Sequence, residues 1–569
     1  MNFRTWAPLA EEVELILNGT LHPMTREERG WWSTNIPDTV AGARYRYRID
    51  GRGPFPDPHS PSQPWGVHGD SAFVDLRGLR DRTQPVFRQV HLRDAVLYEL
   101  HIGTFTPSGT FSAVIEKLPH LVALGITHVE IMPVAAFPGN HGWGYDGVSL
   151  YAPHAAYGTP QDLADLVAAC HAHGLAVLLD VVYNHLGPDG NYLPNFGPYF
   201  TQATATPWGA AVNLDGPHSD GVREFIIDNA LMWLRDYGFD GLRLDAVHEL
   251  YDGRAVHILE ELSARVRLLE QEENRPLVLI AESNQNNPGL VHPPERGGYG
   301  LDAHWADELH HAIHVYLTGE RRGYYADFSG LGDIARALAA GYIYQGQFSP
   351  ARLRSHGRPP EGVEPHQMVV CCQNHDQTGN RAFGERLTLL ASPDQVKAAM
   401  AMVLLSPWVP LLFQGEEWGA RTPFLFFSDH QSPELREKIR RSRYEEFKAF
   451  EWGADIPDPS DPASFEKSKL DWSESRGEAH QEILRWCRML SQLRRRSRTD
   501  FTQPVVQWDE NGRWLTLRRG TVLAVFNFSE VGQVIPIPPG RWMPVPSGEQ
   551  SIFRVVSVES GRTTLFTMD

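Results

Sequence analysis

From about residue 90 to residue 413, short apolar runs alternate with amphipathic stretches. That alternation constrains the fold more than any other feature of the chain. The runs at 95–100, 128–134, 175–182, 241–246, 277–281, 301–305, 368–372 and 409–413 have the length and composition of strands. Between them lie stretches with helical period at 111–124, 160–173, 222–237, 255–270 and 393–405, the second opened by the start signals Thr159 and Pro160. Strands that alternate with helices pair in parallel. Eight of them over some 400 residues favour an α/β fold of the closed (β/α)8, or TIM barrel, type over an open, doubly wound sheet.

The flanks read differently. In 1–86, the run Val13-Glu14-Leu15-Ile16-Leu17 ends at the turn Asn18-Gly19, and Tyr45-Arg46-Tyr47-Arg48-Ile49 alternates with the period of a half-buried strand before the turn Asp50-Gly51. This is the pattern of a β-sandwich, followed by a proline-rich, extended 54–64. In 498–569 the helical period is lost, and apolar runs such as Val522-Leu523-Ala524-Val525-Phe526 point to a small antiparallel β domain. The domains are therefore expected at 1–86, 87–497 and 498–569, with 87–497 as the barrel.

With 52 basic against 70 acidic residues, the net charge of −18 repels a phosphate backbone and argues against a nucleic-acid partner. No stretch of 18 uncharged apolar residues is present to span a membrane, and the first residues lack a secretory pattern. Four cysteines without CxxC spacing fit reduced thiols, so the expected location is cytoplasmic. His310, His311 and His314 have helical spacing, but lack an evident further ligand, and a hydrogen-bonded or solvated helix face is the expectation there. No cofactor and no required metal are expected.

Barrel enzymes carry their chemistry at the C-terminal ends of the strands. Four such ends here are polar: Asp180 to His185, Asp240 to His248, Ala281 to Asn284, and Gln373 to Asp376. A single strand-end aspartate is usually a helix cap; four such segments in order, with basic partners, are not. Arg243 and Asp245 stand two apart on a strand and so face the same side, while Leu242 and Leu244 face the helices. Arg243 would hold Asp245 ionised as a nucleophile, and burial beside other carboxylates would raise Glu282 into the range of a proton donor. Two carboxyls about 5 Å apart make a retaining glycosidase, and a wider gap an inverting one.

These four segments resemble the four motif regions of the α-amylase superfamily, glycoside hydrolase family 13. The resemblance implies Asp245 as nucleophile, Glu282 as acid/base and Asp376 as transition-state stabiliser. It places Arg243, His185, His375 and His248 around the sugar at subsite −1. His141-Gly142-Trp143-Gly144-Tyr145-Asp146 is similar to the family loop whose tyrosine stacks on that sugar, which adds Trp143, Tyr145 and Asp146 as substrate-binding candidates. Phe3-Arg4-Thr5-Trp6-Ala7-Pro8 resembles the opening of the isoamylase and branching-enzyme sandwich. The stretches 302–314, 323–328, 423–430 and 455–472 resemble family members that hydrolyse the α-1,4 bond next to the terminal trehalose of maltooligosyl trehalose. That branch implies a place in trehalose biosynthesis, and a maltooligosyltrehalose synthase that supplies the substrate without needing to touch this chain. Trp305, Asp307, Glu308 and Tyr325 are the plus-side candidates. The alternative is a glycogen branching enzyme, which shares the catalytic residues and differs in what attacks the covalent intermediate.

Overall fold

The computed structural model describes residues 1–80, 87, 89–448, 456–497, 505–545 and 551–568. Eight strands close a parallel barrel: β1 (Leu97–Leu100), β2 (His128–Ile131), β3 (Ala176–Val181), β4 (Gly241–Leu244), β5 (Val278–Ala281), β6 (Ala303–Trp305), β7 (Met368–Cys371) and β8 (Val409–Phe413), with β8 pairing back onto β1. Each expected strand is present; β2, β3, β4 and β7 end one to three residues before their apolar runs do, and β1, β3, β5 and β6 begin one or two residues later. The stretch 111–124 is two helices, Phe111–Ile115 and Leu118–Leu124; Pro119 sits in the first turn of the second, where its missing N–H is not needed.

Side chains inside the barrel come in two kinds. Leu97, Leu178, Ile280, Ala303, Val369, Val409 and Leu411 form a buried apolar plug. Two residues further along their strands, the same parity delivers Glu99 and Asp180, and β4 delivers Arg243, all buried. The barrel therefore changes from hydrocarbon to charge toward its C-terminal end, and that step positions the site.

Before the barrel lie two antiparallel sheets. Asn2–Trp6, Trp31–Asn35 and Thr25–Arg26 make one; Val13–Leu17 and Arg44–Ile49 are central in the other. Tyr45, Tyr47 and Ile49 point into the core between them, as the alternation predicts. Trp6 reaches out of this unit and packs edge-on against Tyr199 at 5.2 Å. Gly221, inside the helix Ser219–Arg235, permits that approach: a Cβ there would sit 2.2 Å from the indole. After the barrel, a six-stranded sheet runs from Val505–Asp509 to Thr563–Thr567. The boundaries drawn at 86/87 and 497/498 abut 81–86 and 498–504, which lie outside the described residues. Among the described residues, no helix is long and apolar enough to cross a membrane.

Candidate active site

Arg243 organises the site from the end of β4. Its side chain is wholly buried. Nη1 donates to both oxygens of Asp180 at 2.9 Å and to Asp245 Oδ1 at 2.7 Å, while Nη2 lies 3.9 Å from Glu282 Oε2. The guanidinium rests on the Trp305 ring, 4.4 Å from its centroid. A buried cation between carboxylates is stabilised as a cation, and Arg243 is held charged.

Asp245 follows β4 directly. Burial alone would raise its pKa, but Arg243, His185 and the amide of Asn184, which donates to Oδ2 at 2.8 Å, hold it below the ordinary carboxylate range. Glu282 follows β5 and accepts the backbone N–H of Ala246 at 2.5 Å. Here burial dominates, Arg243 opposes it, and Asp245, Asp307 and Asp376 add repulsion, so Glu282 is raised to about 8. The two carboxyls share one guanidinium and are driven apart in acidity, one anionic and one protonated at neutral pH.

Asp376 projects from the short helix His375–Gly379 after β7, whose first turn is capped by Asn374 on Gln377 N. It is the open member of the trio, its side chain 40% exposed. His375 Nε2 lies 3.5 Å from it and 2.7 Å from the Tyr145 hydroxyl, which donates to Asp180 at 2.6 Å. Tyr145 also stacks on the His375 ring at 5.2 Å. His185 reaches the Tyr145 carbonyl at 3.0 Å. His248 is half-buried on the turn Val247–Glu249, with its pKa lowered by burial. Asp146 pairs with His430 at 3.2 Å.

Four expected substrate contacts are placed otherwise. Trp143 is buried among Phe413, Phe424 and Phe427, gives its N–H to the Leu425 carbonyl, and backs Tyr145 and His375. Trp305 is the floor beneath Arg243, 4% exposed. Glu308 is buried, and its Oε2 accepts the backbone N–H groups of Ile343 and Tyr344. Tyr325 is 1% exposed, stacked on His314 and bonded to His310 Nε2 at 3.0 Å, so it cannot touch a ligand without a rearrangement. Of the plus-side group, Asp307 is the one that brings a carboxyl to the cluster, raised to about 7 by burial and then by Asp376. His310, His311 and His314 form a buried network rather than a solvated face. No group of three or more metal-ligating side chains occurs among the described residues.

Two participants were not expected from the sequence: Glu99 binds His375, and Trp208 lies flat on His185 at 4.4 Å and 10°. Asp180, which opens the expected rim segment 180–185, anchors Arg243 and Tyr145. The signal for Glu99 was available: a charge inside the apolar run 97–100, in phase with Leu97. Trp208 carried none, because its hairpin, Phe200–Thr206 with Gly209–Val212, is an insertion without periodic pattern.

Residues 1–66 match the model of carbohydrate-binding module 48, the isoamylase N-terminal domain, and residues 69–197 match the α-amylase catalytic domain. A malto-oligosyltrehalose trehalohydrolase of Arthrobacter ramosus is 49% identical over 534 residues, 91% of each chain. The chain belongs to the malto-oligosyltrehalose trehalohydrolase family. A solved Salmonella typhimurium chain ascribed to the α-amylases superposes with a TM-score of 0.91 at 38% identity, covering 100% of this chain and 97% of that one. By contrast, the branching enzyme GlgB of Bacillus caldolyticus is 32% identical over 341 residues, 53% of this chain and 50% of that enzyme. Membership of the trehalohydrolase family thus extends along nearly the whole chain, flanking domains included.

Proposed function

We propose that this chain is a retaining glycoside hydrolase that cleaves the α-1,4-glucosidic bond next to the terminal trehalose of maltooligosyl trehalose. The products are trehalose and a maltooligosaccharide. The observation that carries the reading is the 49% identity to a trehalohydrolase over 91% of the chain, joined to the acidity split between Asp245 and Glu282.

Asp245, held anionic by Arg243, attacks the anomeric carbon of the glucose before trehalose. Glu282, protonated at neutral pH, gives its proton to the departing glycosidic oxygen. Asp245 then carries the glycosyl group as an ester. Glu282, now anionic, takes a proton from water, which attacks the same carbon and frees Asp245. Their placement on the two prongs of one guanidinium, at 2.7 and 3.9 Å, supports the close spacing, about 5 Å, that a double displacement needs. Asp376, with His375 and His185, holds the −1 sugar as positive charge develops on it. Tyr145 is its stacking platform, and Asp146 and His248 border it. The units 1–86, 87–497 and 498–569 serve as sandwich, catalytic barrel and C-terminal domain. A maltooligosyltrehalose synthase in the same cytoplasm supplies the substrate of this step in trehalose synthesis.

The test is incubation with maltotriosyl trehalose and, separately, maltopentaose, in EDTA, with products resolved by chromatography. Trehalose plus maltotriose from the first and little change in the second is the expected result. Branched or lengthened products would move the assignment to a branching enzyme, and equal cleavage of both to a general amylase.

A further inference from the structure

Beneath the reacting carboxyls, two glutamates face each other across neighbouring strands. Glu99 on β1 and Glu130 on β2 are direct partners in the parallel register, 1% and 0% exposed. They are not equivalent. Glu99 accepts two hydrogen bonds from one residue, His375, through Nδ1 at 2.5 Å and the backbone N–H at 2.8 Å. Both oxygens of Glu130 are buried with no hydrogen-bond partner among the described residues. Two donors stabilise a carboxylate as an anion; a carboxyl out of water, without a donor and beside an anion, keeps its proton. The pair therefore holds one proton, and Glu130 holds it.

The charge left on Glu99 acts on His375. Several other groups face that ring. Asp376 on its own helix, Asp180 from β3 and Asp307 after β6 present carboxyl groups; Tyr145 presents a neutral hydroxyl whose proton is given to Asp180; Arg243 from β4 and His101 after β1 oppose a positive ring. Burial pulls His375 down, Glu99 and then Asp376 outweigh it, and the ring is raised to about 9. Its Nδ1 is engaged by Glu99 and its Nε2 faces Tyr145 and Asp376, the arrangement of an imidazole that donates at both nitrogens.

The geometry points to Glu99 as a positioning residue, whose charge, left single by the proton on Glu130, fixes His375 as an imidazolium beside Asp376. This rests on the assignment of Asp245, Glu282 and Asp376 as the reacting carboxyls. An imidazolium there donates its Nε2–H to the Tyr145 hydroxyl, 2.7 Å away, keeps Asp376 at 3.5 Å as a counter-charge, and does not compete with Glu282 as a base near neutral pH.

The experiment uses the whole protein labelled with ¹⁵N in its histidine rings, at pH 8. One imidazole protonated at both nitrogens, and missing in His375→Asn, is expected. In Glu99→Gln that signal titrates at least one pH unit lower. The same variant loses at least tenfold in kcat for trehalose release, with KM within threefold. In Glu130→Gln the His375 ring titrates at its wild-type position, because that side chain is already uncharged. A neutral His375 in the wild type at pH 8, or a downward ring shift in Glu130→Gln as large as in Glu99→Gln, overturns the proposal. The ring signals need no substrate, so they decide the charge of His375 even if Glu99→Gln does not fold. A wild type that releases no trehalose would instead defeat the functional reading.

Discussion

The N–H of Ala246, the residue after Asp245, donates a 2.5 Å hydrogen bond to Glu282 Oε2. One peptide thus carries Asp245, the proposed nucleophile, and tethers Glu282, the proposed acid. To reach Glu282 it adopts φ +37°, a left-handed conformation for a residue with a Cβ. Non-glycine residues held there cost about 1–3 kcal/mol, and β-branching makes it worse. Ala246→Val is expected to lower stability by about 2 kcal/mol and kcat at least tenfold, since both carboxyls lose their register. Ala246→Gly keeps the geometry and most of the activity. Thermal unfolding and steady-state kinetics on maltotriosyl trehalose check both, and a Val variant as active as wild type would show that this peptide does not set the pair.

Glu282→Gln trades activity for stability. Loss of the general acid is expected to cost about 10² to 10⁴ in kcat. The folded protein, however, keeps Glu282 protonated to about 8, against an ordinary value of 4.5. Folding takes up a proton between those two pH values, so the native state loses stability as pH rises through that window. Glutamine cannot ionise and escapes the loss. Its melting temperature should exceed the wild type's at pH 8, and the difference should shrink as pH falls toward 4.5. A difference independent of pH would mean that Glu282 is not raised in the native state.

With these proposed roles, Asp245 and Glu282 are expected to set the pH profile of the reaction. Glu282 must be protonated to act, so kcat/KM is expected to fall about tenfold per unit above pH 8. Asp245 must be anionic, and it lies below its ordinary 3.8, so the acid limb falls below that pH. A broad plateau between them follows, measured by trehalose release in buffers of constant ionic strength. An alkaline limb near pH 5 would contradict the acid assigned to Glu282.

The barrel was legible because each strand is a short apolar run and each helix an amphipathic one. The apolar plug and the polar rim lie on the same strands, in the same phase, so Arg243 and Asp245 could be placed together from spacing alone. What spacing cannot give is which way a long loop folds. Tyr325 and Glu308 follow β6 at the distance of a plus-side contact, yet both turn inward, one to His310 and the other to the amides of Ile343 and Tyr344. Trp208 failed in the opposite sense: an unpatterned insertion carries it across the chain onto His185. Long-range register, not local propensity, decided these cases.

Those inward turns have a measurable consequence. Tyr325→Phe removes the donor to His310, and Glu308→Gln weakens the acceptor for two amides. Each is expected to destabilise the fold by about 1–3 kcal/mol while leaving the ratio of trehalose release to maltopentaose cleavage within twofold. A changed ratio at unchanged melting temperature would restore them as substrate contacts.

Trp208 is the better candidate for substrate contact outside the strands. Its indole covers His185 with one face, and its side chain remains half exposed, at 51%. A ring held flat by an imidazole is a rigid platform, and the axial C–H bonds of a glucose ring suit it. Its hairpin is anchored at its base, where Phe200 and Val212 pair, which fixes the ring without using its surface. An aromatic contact of this kind is worth about 0.5–1.5 kcal/mol beyond area burial, or up to about tenfold in affinity. Trp208→Ala should raise KM for maltotriosyl trehalose about three- to tenfold with kcat within threefold, and Trp208→Phe should recover most of the loss. If instead kcat falls and KM holds, the indole matters by orienting His185 beside Asp245, and the sugar lies elsewhere.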